Sequence, residues 1–89
     1  MKKSGHKLDL IIKIIIKRLE EMGIDPEKIP LCIEIIVYII FLNPLMSYLE
    51  LNRKMKLLGW HNFTIDEHTF KLFMLILDKS EAAPAHRNS

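Results

Sequence analysis

The run from Pro30 to Leu42, PLCIEIIVYIIFL, constrains the fold of this chain more than any other stretch, because only Glu34 and the amphipathic Tyr38 interrupt it. At about 100° per residue, these two side chains lie on one narrow strip of a helix, and apolar residues occupy the rest of its circumference. Such a helix has to be covered on nearly every side. We therefore predict a buried central helix whose polar strip meets water, with a functional groove along that strip as the alternative.

The other apolar residues recur at helical rather than alternating spacing, which predicts an all-α protein. A length of 89 residues corresponds to one domain. Both halves have the order helix, glycine stop, apolar anchor, connection and helix. The sequence thus predicts a compact four-helix domain over residues 7–78, built from two αα-hairpins around the central helix. Residues 1–6 are expected to form a flexible N terminus, and residues 79–89 a disordered C-terminal tail.

The first helix is predicted to begin near residue 7 or 8 and to run to Met22, with apolar residues at every third or fourth position. Gly23 supplies a left-handed stop, and Ile24 is placed to pack back on Leu19. The prolines at positions 26 and 30 predict a single turn at residues 26–29, because the second proline removes a helical hydrogen bond.

Asn43-Pro44 repeats the proline start signal, so a third helix is predicted from Leu45 to Leu58, with almost no loop before it. Asn52 lies in the apolar arc of this helix, where a lone amide needs partners. We expect Asn52 to bind a neighbouring backbone rather than a ligand. The residues predicted to face inward are Leu45, Tyr48, Leu49, Leu51, Met55 and Leu58.

Gly59 is predicted to end the third helix as Gly23 ends the first. Thr64-Ile65-Asp66-Glu67 fits the capping box of Thr64 with Glu67, which predicts a fourth helix from there to about Asp78. Two separate apolar faces of this helix need covering. One face has Ile65, Thr69, Leu72, Phe73 and Ile76, and the other has Phe70, Met74 and Leu77.

Apolar residues make up 49% of the chain, which is more than a domain of this size can place in its interior. Some of them should therefore lie on a surface that another chain covers, and self-association is the first expectation. The sequence predicts that this surface includes Leu10, Ile14, Phe70, Met74 and Leu77.

Residue types that carry chemistry are scattered rather than grouped. Cys32 lies in the apolar run and is interpreted as a small buried hydrophobe. His61 and His68 are not spaced to share a helical face, so no metal site is expected. No glycine-rich phosphate loop, nucleophile elbow or cysteine–histidine arrangement occurs, so neither an enzyme nor a cofactor is predicted. Glu34, Asn43 and Pro44 break the hydropathy of the middle of the chain, which argues against a membrane span. Charged residues interrupt the apolar stretch of the first helix and no small-residue cleavage site follows it, so a signal peptide is not predicted and a cytoplasmic protein is expected.

The predicted function is a non-enzymatic helical dimerisation or protein–protein interaction module, with a regulatory role as one form of it. The alternative is a small nucleic-acid-binding protein that uses the basic first helix, although the net charge of +2 is modest. An apolar pocket for a small molecule is a third interpretation. The candidate nucleic-acid contacts are Lys2, Lys3, Lys7, Lys13 and Lys17.

Overall fold

A computed structural model describes the backbone of residues 2–88 and the side chains of residues 7–78. Within this part of the chain the fold is all-α and compact, with four helices and no strand. The helices are α1 (Lys2–Glu21), α2 (Ile29–Leu42), α3 (Tyr48–Leu57) and α4 (Glu67–Asn88), and a 3-10 turn at Pro26–Lys28 precedes α2. Helix α1 begins at Lys2, earlier than the predicted start near residue 7 or 8, and α4 continues to Asn88, beyond the predicted end near Asp78. The flexibility of residues 1–6 and the disorder of residues 79–89 stay predictions.

Glycine ends α1 and α3 in the same way. Gly23 and Gly59 have φ angles of +95° and +107°, a region that favours glycine because it has no Cβ. The N–H of Ile24 donates to the carbonyl of Leu19 at 3.2 Å, and the N–H of Trp60 donates to the carbonyl of Met55 at 3.0 Å. These are the six-to-one bonds of the Schellman motif, so both predicted helix ends are confirmed.

Helix α3 begins later than predicted, at Tyr48 rather than Leu45. Ser47 is its N-cap: the Ser47 hydroxyl accepts from the N–H of Glu50 at 3.2 Å, and the Glu50 carboxylate accepts from the N–H of Ser47 at 3.1 Å. This reciprocal capping box outcompetes the start signal of Asn43-Pro44 because it satisfies two otherwise unpaired donors. Leu45, Leu49 and Leu58, which were predicted to face inward, are exposed.

Helix α4 also begins later than the capping box at Thr64 predicted. Its N-cap is Asp66, whose Oδ1 accepts from the N–H of Thr69 at 2.8 Å, and the first helical bond joins the N–H of Phe70 to the Asp66 carbonyl. The Thr64 hydroxyl instead donates to the Phe63 carbonyl and accepts from Lys56. The prediction for Thr64 is wrong because its hydroxyl bonds to Phe63 and Lys56, while Asp66 caps the helix instead. The segment between them is held by Asn52, which binds both backbone polar groups of Ile65.

The core is shared by all four helices, and α2 contacts each of the other three. However, α2 buries only one stripe, formed by Ile29, Cys32, Ile36 and Ile40. The prediction of coverage on nearly every side is therefore wrong for the single chain. Helix α4 packs against both α1 and α2, so both of its apolar faces lie against the chain's own helices. The pairing of the helices into two hairpins stays a prediction.

Candidate interaction surface

The side of α2 that faces away from the core is largely apolar. We define the outer α2 face as the exposed residues on this side of the helix, together with Leu45 in the turn that follows. Its apolar members have exposed fractions from 53% for Leu31 to 94% for Leu45. Glu34 is the only charged residue within α2. The members of the outer α2 face are Leu31, Glu34, Tyr38, Phe41, Leu42 and Leu45.

The spacing along this face is that of a helix-packing seam. Residues 31, 34, 38 and 41 are separated by three, four and three positions, which is the repeat that keeps side chains facing a partner helix. Leu45 lies in the turn beyond the end of α2 and is not part of this repeat. The buried residues of α2 follow a second line on the opposite side of the helix. Helix α2 therefore has two seams, and the described part of the chain covers one of them.

The outer α2 face is large for a small protein. Aromatic side chains present roughly 150–250 Å² each when uncovered, so the exposed fractions of its five apolar residues correspond to on the order of 600 Å². That value lies at the upper end of the apolar patches found on monomers. Patches of this size mark interaction surfaces more often than isolated exposed leucines do.

The residues predicted for partner binding separate into two groups. Leu10 and Ile14 are exposed, one turn apart on the outer side of α1. Phe70 is buried, and Met74 and Leu77 are half-buried against the core. Phe70 is therefore not accessible in the single chain, whereas partner binding through Met74 and Leu77 stays a prediction.

The residues predicted for nucleic-acid binding lie on α1. Lys7, Lys13 and Lys17 are exposed and, by their helical phase, border Leu10 and Ile14. The side chains of Lys2 and Lys3 lie outside the described range. On the outer side of α1, two exposed apolar residues are thus bordered by three lysines. The outer α2 face is instead apolar apart from the carboxylate of Glu34.

A polar cluster joins the end of α1 to the start of α4. Arg18 Nη1 donates to Thr69 Oγ1 and lies within hydrogen-bond distance of His68 Nδ1, both at 2.9 Å, and it is 4.0 Å from Asp66 Oδ1. Hydrogen bonds from Thr69, with a smaller contribution from the Arg18 charge, lower the pKa of Asp66 below its ordinary value of 3.8. The cluster borders an open groove, which differs from the enclosed apolar pocket considered as a third interpretation. Each of its side chains already has a structural partner.

Cys32 and the described histidines take no part in a reactive arrangement. Cys32 is fully buried, and this burial raises the pKa of its thiol to about 12, so the thiolate that would react is disfavoured. The interpretation of Cys32 as a buried hydrophobe is confirmed. Among the described residues, no three His, Cys, Asp or Glu side chains are grouped closely enough to hold a metal ion. Within that same range, none of the helices has the length and apolar character needed to cross a membrane.

No protein-family model matches this chain, and no curated protein or solved structure is significantly similar to it. Function therefore has to be argued from the surface itself. Sequence reasoning identified the apolar excess of α2 but did not single out Phe41, Leu42 or Leu45 as contact residues. The alternating spacing of three and four positions was the signal that could have found Phe41.

Proposed function

We propose that this protein is a non-enzymatic helical interaction module that associates with itself through the outer α2 face. The observation that carries the proposal is the second seam of α2, which is apolar except for Glu34 and is not covered by the described part of the chain. A helix that is apolar on both sides is stable in water only when both sides are covered.

The size of the surface supports a protein partner. A standard interface buries about 800 Å² on each partner, and the apolar part of the outer α2 face supplies most of that. The half-buried Ile35 and Val37 border the face and would extend the contact. Tyr38 and Phe41 are of the type that anchors interfaces, because aromatic side chains combine a large contact area with few rotatable bonds.

The polar groups of the described surface support a non-enzymatic role. Asp66 caps a helix, Asn52 binds a backbone, and Arg18 joins two helices. These structural contacts explain why the polar side chains are grouped, so no bound substrate is needed to explain them.

Sedimentation velocity of the purified chain at about 1 to 100 µM tests the proposal, with Phe41→Lys as the disrupting variant. Lysine suits the C-terminal end of a helix, so this exposed substitution should leave the fold intact by circular dichroism. The matched control is Leu57→Lys, because Leu57 is an exposed leucine at the C-terminal end of α3. We expect a dimer for the wild type and the control, and a monomer for Phe41→Lys. A wild type that stays monomeric, or a dimer that Phe41→Lys leaves unchanged, would overturn the proposal.

Nucleic-acid binding is the second candidate function, and the exposure of Lys7, Lys13 and Lys17 along one helix favours it. Phosphate contacts from these side chains would give binding that falls steeply with salt. The test is retention on double-stranded DNA and on RNA across a salt series, with Lys7→Gln/Lys13→Gln/Lys17→Gln as the variant. The leading proposal predicts negligible retention of the wild type near physiological salt. Tight binding that the triple variant loses would favour the second candidate.

A further inference from the structure

The carboxylate of Glu34 and the phenol of Tyr38 are the polar side-chain groups of the outer α2 face, and they restrict how two copies can pair. Glu34 lies in the seam itself, between Leu31 and Tyr38, rather than at its rim. A parallel pair of α2 helices would place Glu34 of each copy against Glu34 of the other. Two carboxylates would then lose water while facing like charge, which is unfavourable on both counts. A parallel dimer through this seam is therefore disfavoured.

An antiparallel pair avoids this conflict. If a two-fold axis passes α2 at the level of Ile36, Glu34 of one copy lies opposite Tyr38 of the other, and Leu31 lies opposite Phe41. The phenol of Tyr38 can then donate a hydrogen bond to the Glu34 carboxylate twice, once on each side of the axis. The only charge in the seam thus gains a donor while the apolar residues face one another.

Neighbouring registers lose this match. An axis at Tyr38 would place Glu34 against Leu42, where the carboxylate has no donor and would remain desolvated and unpaired. The antiparallel arrangement also places the C-terminal end of each α2 beside the N-terminal end of the other, which suits their dipoles. Over 14 residues, α2 is about 21 Å long, so the paired seam spans four helical turns.

Resting on the proposed function above, we propose that the occupant of the outer α2 face is a second copy of this chain, paired antiparallel, with Glu34 of each copy bound by Tyr38 of the other. This assignment gives the dimer an isologous interface, in which one surface meets itself. It also gives the only charged residue of α2 a function in setting direction and register.

Disulfide cross-linking between chains that carry one introduced cysteine each, in addition to the buried Cys32, tests direction and register. Leu31→Cys chains, Phe41→Cys chains and an equal mixture of the two are oxidised mildly, and covalent dimers are quantified on non-reducing gels. In the proposed pair, positions 31 and 41 face each other, whereas the two copies of position 31 are about 15 Å apart along the axis, too far for a disulfide. We expect covalent dimer from the mixture and little from either variant alone. The wild type is the matched control, because Cys32 is fully buried.

The outcomes separate this inference from the function on which it rests. Efficient cross-linking of Leu31→Cys alone would indicate a parallel pair, overturning the inference while leaving association through this face intact. Absence of cross-linking in all three samples, with the wild type still dimeric, would overturn the register. A monomeric wild type, or a dimer indifferent to Phe41→Lys, would remove both the function and the inference.

A second measurement does not depend on cysteine chemistry. Tyr38→Phe keeps the ring and its apolar area but removes both donors to Glu34. We expect the dimer dissociation constant to rise by roughly tenfold or more, while Tyr48→Phe, which changes the chain's other tyrosine on α3, serves as the control. An unchanged dissociation constant for Tyr38→Phe would contradict the assigned contact between Tyr38 and Glu34.

Discussion

The side-chain amide of Asn52 forms two reciprocal hydrogen bonds with the backbone of Ile65. Oδ1 accepts from the Ile65 N–H at 2.9 Å, and Nδ2 donates to the Ile65 carbonyl at 3.0 Å. Both partners are buried. An amide is the one short side chain that can pair a donor and an acceptor with a backbone in this way. The contact joins α3 to the segment before α4 and fixes where α4 can begin.

Removal of the Asn52 amide should therefore destabilise the fold strongly. Asn52→Ala leaves the N–H and the carbonyl of Ile65 buried without partners, and we expect a loss of about 2–4 kcal/mol in the free energy of unfolding. Urea denaturation at one fixed protein concentration measures this, since self-association would add to the apparent stability. The control is Asn62→Ala in an exposed position. A value for Asn52→Ala as small as that for the control would contradict the structural role.

The positions of the helix caps predict opposite results for two hydroxyl residues. Ser47→Ala removes one half of a reciprocal capping box and should cost about 1 kcal/mol. Thr64→Ala removes no helix cap and should cost clearly less, although the sequence alone predicted a helix cap at Thr64. Thermal and urea unfolding of the two variants decide between these expectations. Equal losses for both would show that Thr64 contributes to helix initiation after all.

Asp66 should make the stability of the chain depend on pH in the acid range. Its pKa is lowered in the folded state, chiefly by hydrogen bonds from Thr69 and also by the Arg18 charge. The carboxylate therefore stabilises the fold fully above its ordinary pKa of 3.8, and this contribution is lost as pH falls through the lower folded value. Asp66→Asn should be less stable than the wild type near neutral pH.

The two curves of unfolding free energy against pH should converge below the folded pKa of Asp66, because the protonated acid and the amide are then equally uncharged. Urea unfolding between about pH 2 and 7 measures this difference. His68 borders Arg18 in the same cluster, so Asp66→Asn/His68→Gln is compared with His68→Gln alone as a control that removes this neighbour. A constant difference at all pH values would contradict the assignment.

The features that the sequence determined are those set by a few neighbouring residues. Gly23 and Gly59 end helices because the positive φ angle at these positions would strain any residue that has a Cβ. The prolines at positions 26 and 30 allow one turn between them, as observed at Pro26–Lys28. A buried amide such as that of Asn52 requires hydrogen-bond partners, and the backbone of Ile65 provides them. These outcomes follow from local backbone geometry and hydrogen bonding, which the sequence states directly.

The tertiary structure decided the choices among equally allowed local patterns. Asn43-Pro44 and Ser47 are both valid helix starts, as are Thr64 and Asp66, and the folded chain uses Ser47 and Asp66. At the second pair, the contact of Asn52 with the Ile65 backbone holds the segment between the two candidate caps. The sequence also shows that α2 is apolar nearly all round, but not which side the other helices cover. That choice depends on how the surfaces of four helices fit together, because burial stabilises any apolar side chain and packing alone determines which ones reach the core. This packing placed Phe70 in the core and left the outer α2 face uncovered by the described part of the chain.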